Sequence, residues 1–212
     1  PPPNNRIRAR GFNSDPVEMD LREGHMAFAS PRIRLARIAW TQMQGEFYKM
    51  PGASGTGIDF GSEAAEPGIQ SCIENALMGI ATLTRGVYTD SDGPITGGAG
   101  LGPIVTNLAV CMEQAVLDNE IVSYLNKFLE GIQVDEDTLA VDVIKEVGPS
   151  GEFVSTDHTL RHFRDVSWHS EFFHRGPFDA WVAAGRKDPL ELAKEKVAEA
   201  MVAEVPLMIP ED

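Results

Sequence analysis

Between residues 30 and 92 the sequence alternates between helical periodicity and short apolar runs that end in polar, glycine-rich loops. This alternation constrains the chain more than any other feature, because it is the βα rhythm of an α/β protein with parallel strands. Ser30-Pro31 starts the first helix, with serine as cap and proline at the first helical position. Ile33, Ala36, Arg37, Trp40, Met43 and Phe47 follow at helical spacing, and Pro51 ends the run. The small-residue stretch 51–61 closes on Ile58-Asp59-Phe60, which reads as a short buried strand running into a loop. A second helix is expected over 63–84. Its Ile69, Ile73, Ala76, Leu77, Ile80 and Leu83 form an apolar face wide enough to pack on a sheet. Gly86 stops it, and Val87-Tyr88-Thr89 reads as the next strand. Val17–Leu21 reads as an earlier one.

The second half changes character. One or two helices are expected over 103–132, where Ile121, Leu125, Phe128, Leu129 and Ile132 hold a helical stripe. A short helix over 137–147 carries Ala140, Val143, Ile144 and Val147 on one face and stops at Gly148-Pro149. Thr156-Asp157 caps a helix through Phe163, and a last helix covers 188–205. No internal repeat is present.

Composition removes several function classes. With 212 residues, 42% of them apolar, the chain can bury a sizeable core. No stretch reaches the roughly 18 uninterrupted apolar residues of a membrane span. Asp and Glu outnumber Lys and Arg by 32 to 18, which argues against a nucleic-acid surface. The acids concentrate in 112–160, eleven against two lysines, and read as a solvated helical face. Cys72 and Cys111 show no CxxC spacing and sit in apolar helical patterns, so buried thiols in a reducing compartment are expected. With no signal-peptide pattern in the Pro1-Pro2-Pro3-Asn4-Asn5 opening, the reading is cytoplasmic, with a processed or truncated chain expected.

Three places carry candidate chemistry. Asp59, Glu63, Tyr88, Asp90 and Asp92 lie just past candidate strands, the catalytic face of a βα barrel. Acids and an aromatic ring there suit a cationic substrate, by charge and cation–π contact, although loop polarity and helix capping also explain them. Residues 93–102 precede a helix start but lack both the Walker and the GxGxxG pattern, so a glycine-rich turn accounts for them. Four histidines, His158, His162, His169 and His174, fall within seventeen residues. His158 and His162 stand at i, i+4, the spacing of two metal ligands on one helix face. The glutamate of HExxH is missing, and a third ligand would have to come from elsewhere.

Several stretches then read together. They are Ser30-Pro31 with a helix ending Phe47-Tyr48-Lys49-Met50-Pro51, Glu113-Gln114, Val116 through Ile121, and Gly131-Ile132 with Val134 through Ala140. Asp142-Val143-Ile144, Glu146-Val147-Gly148, Asp157 through Arg164 (DHTLRHFR), and Ala180 through Gly185 leading to Lys187-Asp188 complete the set. Across about residues 20–204, and most specifically from Glu113 to Asp188, this resembles the C-terminal part of the trimethylamine methyltransferase family.

The resemblance implies an α/β fold, the C-terminal part of a TIM (β/α)8 barrel followed by C-terminal helices. Residues 1–116 would hold the βα units and 117–212 a helical region packed on them. It also implies methyl transfer from a quaternary or tertiary methylamine, trimethylamine or glycine-betaine-like, to the corrinoid (cobalamin) of a partner protein, whose Co(I) centre is the nucleophile. The methanogen branch carries pyrrolysine, at a position that falls near 51–63. This sequence holds no non-standard residue and resembles the other branch. Glu113 and Asp59 are the catalytic candidates, and Glu63, Tyr88 and Asp90 the substrate-binding ones. No metal ligand is assigned, and His158, His162 and Arg164 read as packing and interface residues. A full barrel needs about 250 residues, so about three βα units are expected here, with the N-terminal half missing or a homo-oligomer formed. Two rival readings stand: a non-catalytic half-barrel subunit needing a partner half, and a metal-dependent hydrolase using the His158–His174 cluster.

Overall fold

The computed structural model describes residues 18–36, 39, 60–85, 100–164 and 166–203. Asp20 starts the first turn: its Oδ1 accepts the amides of Arg22 at 2.8 Å and Glu23 at 3.3 Å, and Gly24 closes it at φ 71°. The chain reverses there into an antiparallel hairpin of β1 (Glu18–Asp20) and β2 (His25–Ala27), with Met19 opposite Met26. Residues 31–36 are helical, as the Ser30-Pro31 start predicts, and Ser30 Oγ accepts the Ile33 amide at 3.3 Å. Ile33 is buried. The remainder of that predicted helix, apart from residue 39, lies outside the described residues.

The second predicted helix is α1 (Ile69–Arg85), which begins six residues later than the periodicity suggests. Residues 60–64 are drawn out instead as an irregular strap, and Pro67-Gly68 delay the helix start. A second antiparallel hairpin pairs β3 (Pro103–Ile104) with β4 (Ala109–Val110). It replaces the expected helix start near residue 103. Val105, Thr106 and Asn107 all have positive φ (52°, 57° and 64°), which reverses the chain and is incompatible with a right-handed helix there. Helix α2 (Met112–Leu129) follows.

Four short helices come next: α3 (Glu136–Leu139), α4 (Val141–Val147), α5 (Asp157–His162) and α6 (Phe178–Ala183). The single helix expected over 137–147 is broken by Ala140 in the left-handed region at φ 49°. Asp188 caps α7 (Pro189–Val202) in a capping box with Glu191, as helix-start chemistry predicts.

Helix α2 is the centre of the packing, with α1 against it on one side and α7 on the other. Phe60, Met78, Ile121 and Leu125 form one buried cluster, and Leu117, Phe172 and Ala193 a second, with Cys72 touching both. Among the described residues both sheets are antiparallel hairpins, the strand expected over 17–21 included, and neither a parallel pairing nor a closed barrel is formed. The strand expected at 87–89 lies outside them, as do residues 58–59. No helix among the described residues is long and apolar enough to cross a membrane.

One orientation is the reverse of expectation. The α1 stripe of Ile69, Ile73, Leu77 and Ile80 is exposed, at 82%, 63%, 42% and 47%. Ser71, Asn75 and Met78 are buried in its place. The polar face of α1 turns inward because it has hydrogen-bond partners waiting on α2, which removes the cost of burying it.

Candidate functional site

The buried polar residues of the two long helices converge on Asp118, which is fully buried. Its Oδ1 accepts from Asn75 Nδ2 and from Gln114 Nε2, both at 2.7 Å, and its Oδ2 accepts from the Gly102 amide at 2.8 Å. Gln114 sits one turn before Asp118 and accepts Ser71 Oγ at 2.6 Å, while Asn75 Oδ1 accepts the Gly61 amide at 3.2 Å. Thus i, i+4 pairs on two helices (Ser71/Asn75 and Gln114/Asp118) interlock and hold the loops at Gly61 and Gly102. Burial pushes the Asp118 carboxyl above its ordinary value, and its three donors pull back without cancelling that.

The strap 60–64 lies between the first hairpin and the second. Arg34, buried, donates from Nη2 to Gly61 O at 2.5 Å. Glu74 Oε2 accepts Ser62 Oγ at 2.7 Å and the Glu63 amide at 2.9 Å. On the other edge, the Val105 and Thr106 amides donate to Ala64 O and Ser62 O, each at 2.9 Å. A Cβ at Gly61 would collide with Asn107 Oδ1, so the strap and the left-handed turn approach as closely as a glycine allows.

Glu63, a substrate-binding candidate, belongs to this strap. Its Oε1 accepts the amides of Phe28 at 2.5 Å and Ala29 at 2.7 Å, and its Oε2 faces His25 Nε2 at 3.9 Å. The carboxylate therefore ties the first hairpin to the strap. Glu113 stands in the first turn of α2, where its Oε2 accepts Cys111 Sγ at 3.0 Å. That bond is the main cause holding the Glu113 carboxyl below its ordinary value. The Cys111 thiol is pushed up, first by burial and next by the same bond. Burial, and then the charge of Asp118, raise Cys72 as well. Glu63 and Glu113 share no hydrogen bond among the described residues. Asp59, Tyr88 and Asp90 lie outside the described residues, as does Asp92.

The four histidines are not brought together. The His158 and His162 rings lie 4.5 Å apart between centroids, tilted by 41°, and both turn Nε2 to Asp137, at 2.8 Å to its backbone oxygen and 2.8 Å to its Oδ2. His169 and His174 instead line an open groove of about 500 Å³ with Phe173 and Trp181. Sequence reading missed Asp137 as the partner of both rings, and it missed the Ser71–Gln114–Asp118–Asn75 network. The two interlocking i, i+4 polar pairs were the available signal, masked by the apolar stripe on the opposite face of α1.

A family model described as trimethylamine methyltransferase (MTTB) matches residues 12–211. Trimethylamine methyltransferase MttB of Desulfitobacterium hafniense is 29% identical over 201 residues, covering 94% of this chain and 38% of that protein. MttB of Methanosarcina barkeri is 30% identical over 190 residues, 90% of this chain and 36% of that protein. A glycine betaine methyltransferase of Desulfitobacterium hafniense is 26% identical over 171 residues, 80% and 33% of the two lengths. The chain spans a little over a third of the length of the curated trimethylamine methyltransferases it matches. A match running through all but the two ends places the DHTLRHFR stretch and both interlocking helices inside one family, and the chain belongs to the trimethylamine methyltransferases.

Proposed function

We propose that the native gene product carrying this chain moves a methyl group from a quaternary or tertiary methylamine, of the trimethylamine or glycine-betaine type, to a corrinoid protein in the cytoplasm. The observation that carries the reading is the family match over residues 12–211. In this reading the chain contributes the C-terminal part of a (β/α)8 barrel and the helices that follow it.

The acceptor is a second substrate, held by its own protein, and supplies the nucleophile that takes the methyl group. What this chain supplies is position and charge. Glu113 is the strongest of the acidic candidates, because its carboxylate is held below its ordinary value, first by the bond it accepts from the Cys111 thiol and next by its own backbone amide. Asp59, Tyr88 and Asp90 are proposed beside it as cation-holding groups. Glu63 acts by fixing the strap, since its Oε1 already accepts two backbone amides.

The test is substitution in the native gene product. Glu113→Gln should slow demethylation about 10-fold or more while leaving the helical circular dichroism unchanged. A rate equal to wild type would remove Glu113 from the assignment. A second reading, a non-catalytic subunit that works only with a further part of the fold seated on it, is favoured by the exposed α1 stripe. Scattering mass and turnover of the purified product separate the two.

A further inference from the structure

The helical spacing of His158 and His162 supplies two metal ligands and leaves the third unidentified; the fold provides it. Asp137, in the first turn of α3, meets both rings, and one donor atom from each of the three residues lies within 4.8 Å of the others. We propose that Asp137, His158 and His162 form a zinc-binding site that staples α3 to α5.

The donor set is one carboxylate oxygen and two imidazole nitrogens, which suits a borderline divalent ion such as Zn²⁺. Bonds of about 2.0–2.2 Å at tetrahedral angles separate neighbouring donors by roughly 3.3 Å. His162 Nε2 stands 2.8 Å from Asp137 Oδ2, so the pair has to open by only a few tenths of an ångström. Both imidazoles are partly exposed, and Asp137 is open to water, so the ion has an entry path and a fourth position for water. Binding exchanges two hydrogen bonds, His158 to Asp137 O and His162 to Asp137 Oδ2, for three coordinate bonds, one from each residue. Both Nε2 atoms carry the proton they donate to Asp137, so when Nε2 takes the ion the proton of each neutral ring moves to Nδ1. Arg161 Nη2, 3.3 Å from Asp137 Oδ1, remains able to hold the second carboxylate oxygen in place.

A second observation says what such a staple would be for. Helices α3, α4, α5 and α6 contain no buried residue. From residue 131 to 171 none of the described residues is buried. Short elements without a core are the ones that metal ions hold in place. The inference is independent of methyl transfer, and its readout does not involve turnover.

The experiment is a zinc titration of tag-free native gene product against a chromophoric chelator, with a parallel measurement of thermal unfolding. We expect one ion per chain with a dissociation constant of about 10 μM or tighter. His162→Ala should weaken binding about 10-fold or more, and zinc should raise the unfolding midpoint of wild type but not of His158→Ala/His162→Ala. Asp137→Asn, which keeps shape and removes the charge, guards against a variant that fails to fold and should also weaken binding. Binding weaker than about 100 μM, or affinity unchanged in both the double variant and Asp137→Asn, overturns the proposal.

Discussion

At the scale of single residues, Asp118 is the group on which most depends. It accepts three donors from three different segments, so truncation strands a buried amide on α1, another on α2 and a backbone N–H. Asp118→Ala should cost about 3 kcal/mol or more in urea unfolding, since each orphaned buried donor carries its own desolvation penalty. A loss under about 1 kcal/mol would mean the network does not bind the helices together. Cys111 and Glu113 make a second pair with a sharp signature. The thiol's raised value lowers its thiolate fraction near pH 8, and the neighbouring carboxylate is part of the cause. Glu113→Gln should therefore speed alkylation of Cys111 a few-fold at that pH, read by peptide mapping to separate it from Cys72. An unchanged or slower rate would show that the carboxylate does not control the thiol.

At the scale of elements, α1 shows how far sequence reading reaches. Its existence followed from the 3.6-residue apolar period, and the Thr156 cap of α5 was legible from helix-start chemistry. Which face of α1 turns inward was not legible, because periodicity reports that a stripe exists and not what opposes it. Ser71 and Asn75 are buried only because Gln114 and Asp118, some forty residues on, stand where they can accept from them. The hairpin at 103–110 was hidden for a related reason: Val105 and Thr106 are poor residues for positive φ, and their conformation is imposed by amide bonds to the strap. Of the candidate acids only Glu63 and Glu113 fall among the described residues, and the bonds of Glu63 to the Phe28 and Ala29 amides are a tertiary fact that spacing does not report. The inverted face makes a direct prediction. Met78→Ala should cost about 2–4 kcal/mol, whereas Ile73→Ala should cost no more than about 0.5 kcal/mol, by denaturant unfolding. Equal losses at the two positions would place the stripe in a core.

At the scale of the whole molecule, two packed helical contacts and a strap of hydrogen bonds organise the described residues around α2. The acidic excess, −14 overall, suits a protein that attracts cations, and methylated ammonium groups are cations held by charge and aromatic faces. The exposed stripe of α1 and the unburied stretch 131–171 mark surfaces that other parts of a larger assembly, or a metal ion, can order. In the proposed function these features serve one chemistry, removal of a methyl group from an amine, and the family match is what supports it. The most direct measurement incubates the native gene product anaerobically with a reduced corrinoid acceptor and either trimethylamine or glycine betaine, and follows the amine by proton NMR. The account predicts that dimethylamine or dimethylglycine appears in step with enzyme concentration; no demethylated product from either amine, with a folded protein and an acceptor shown to be competent, would contradict it.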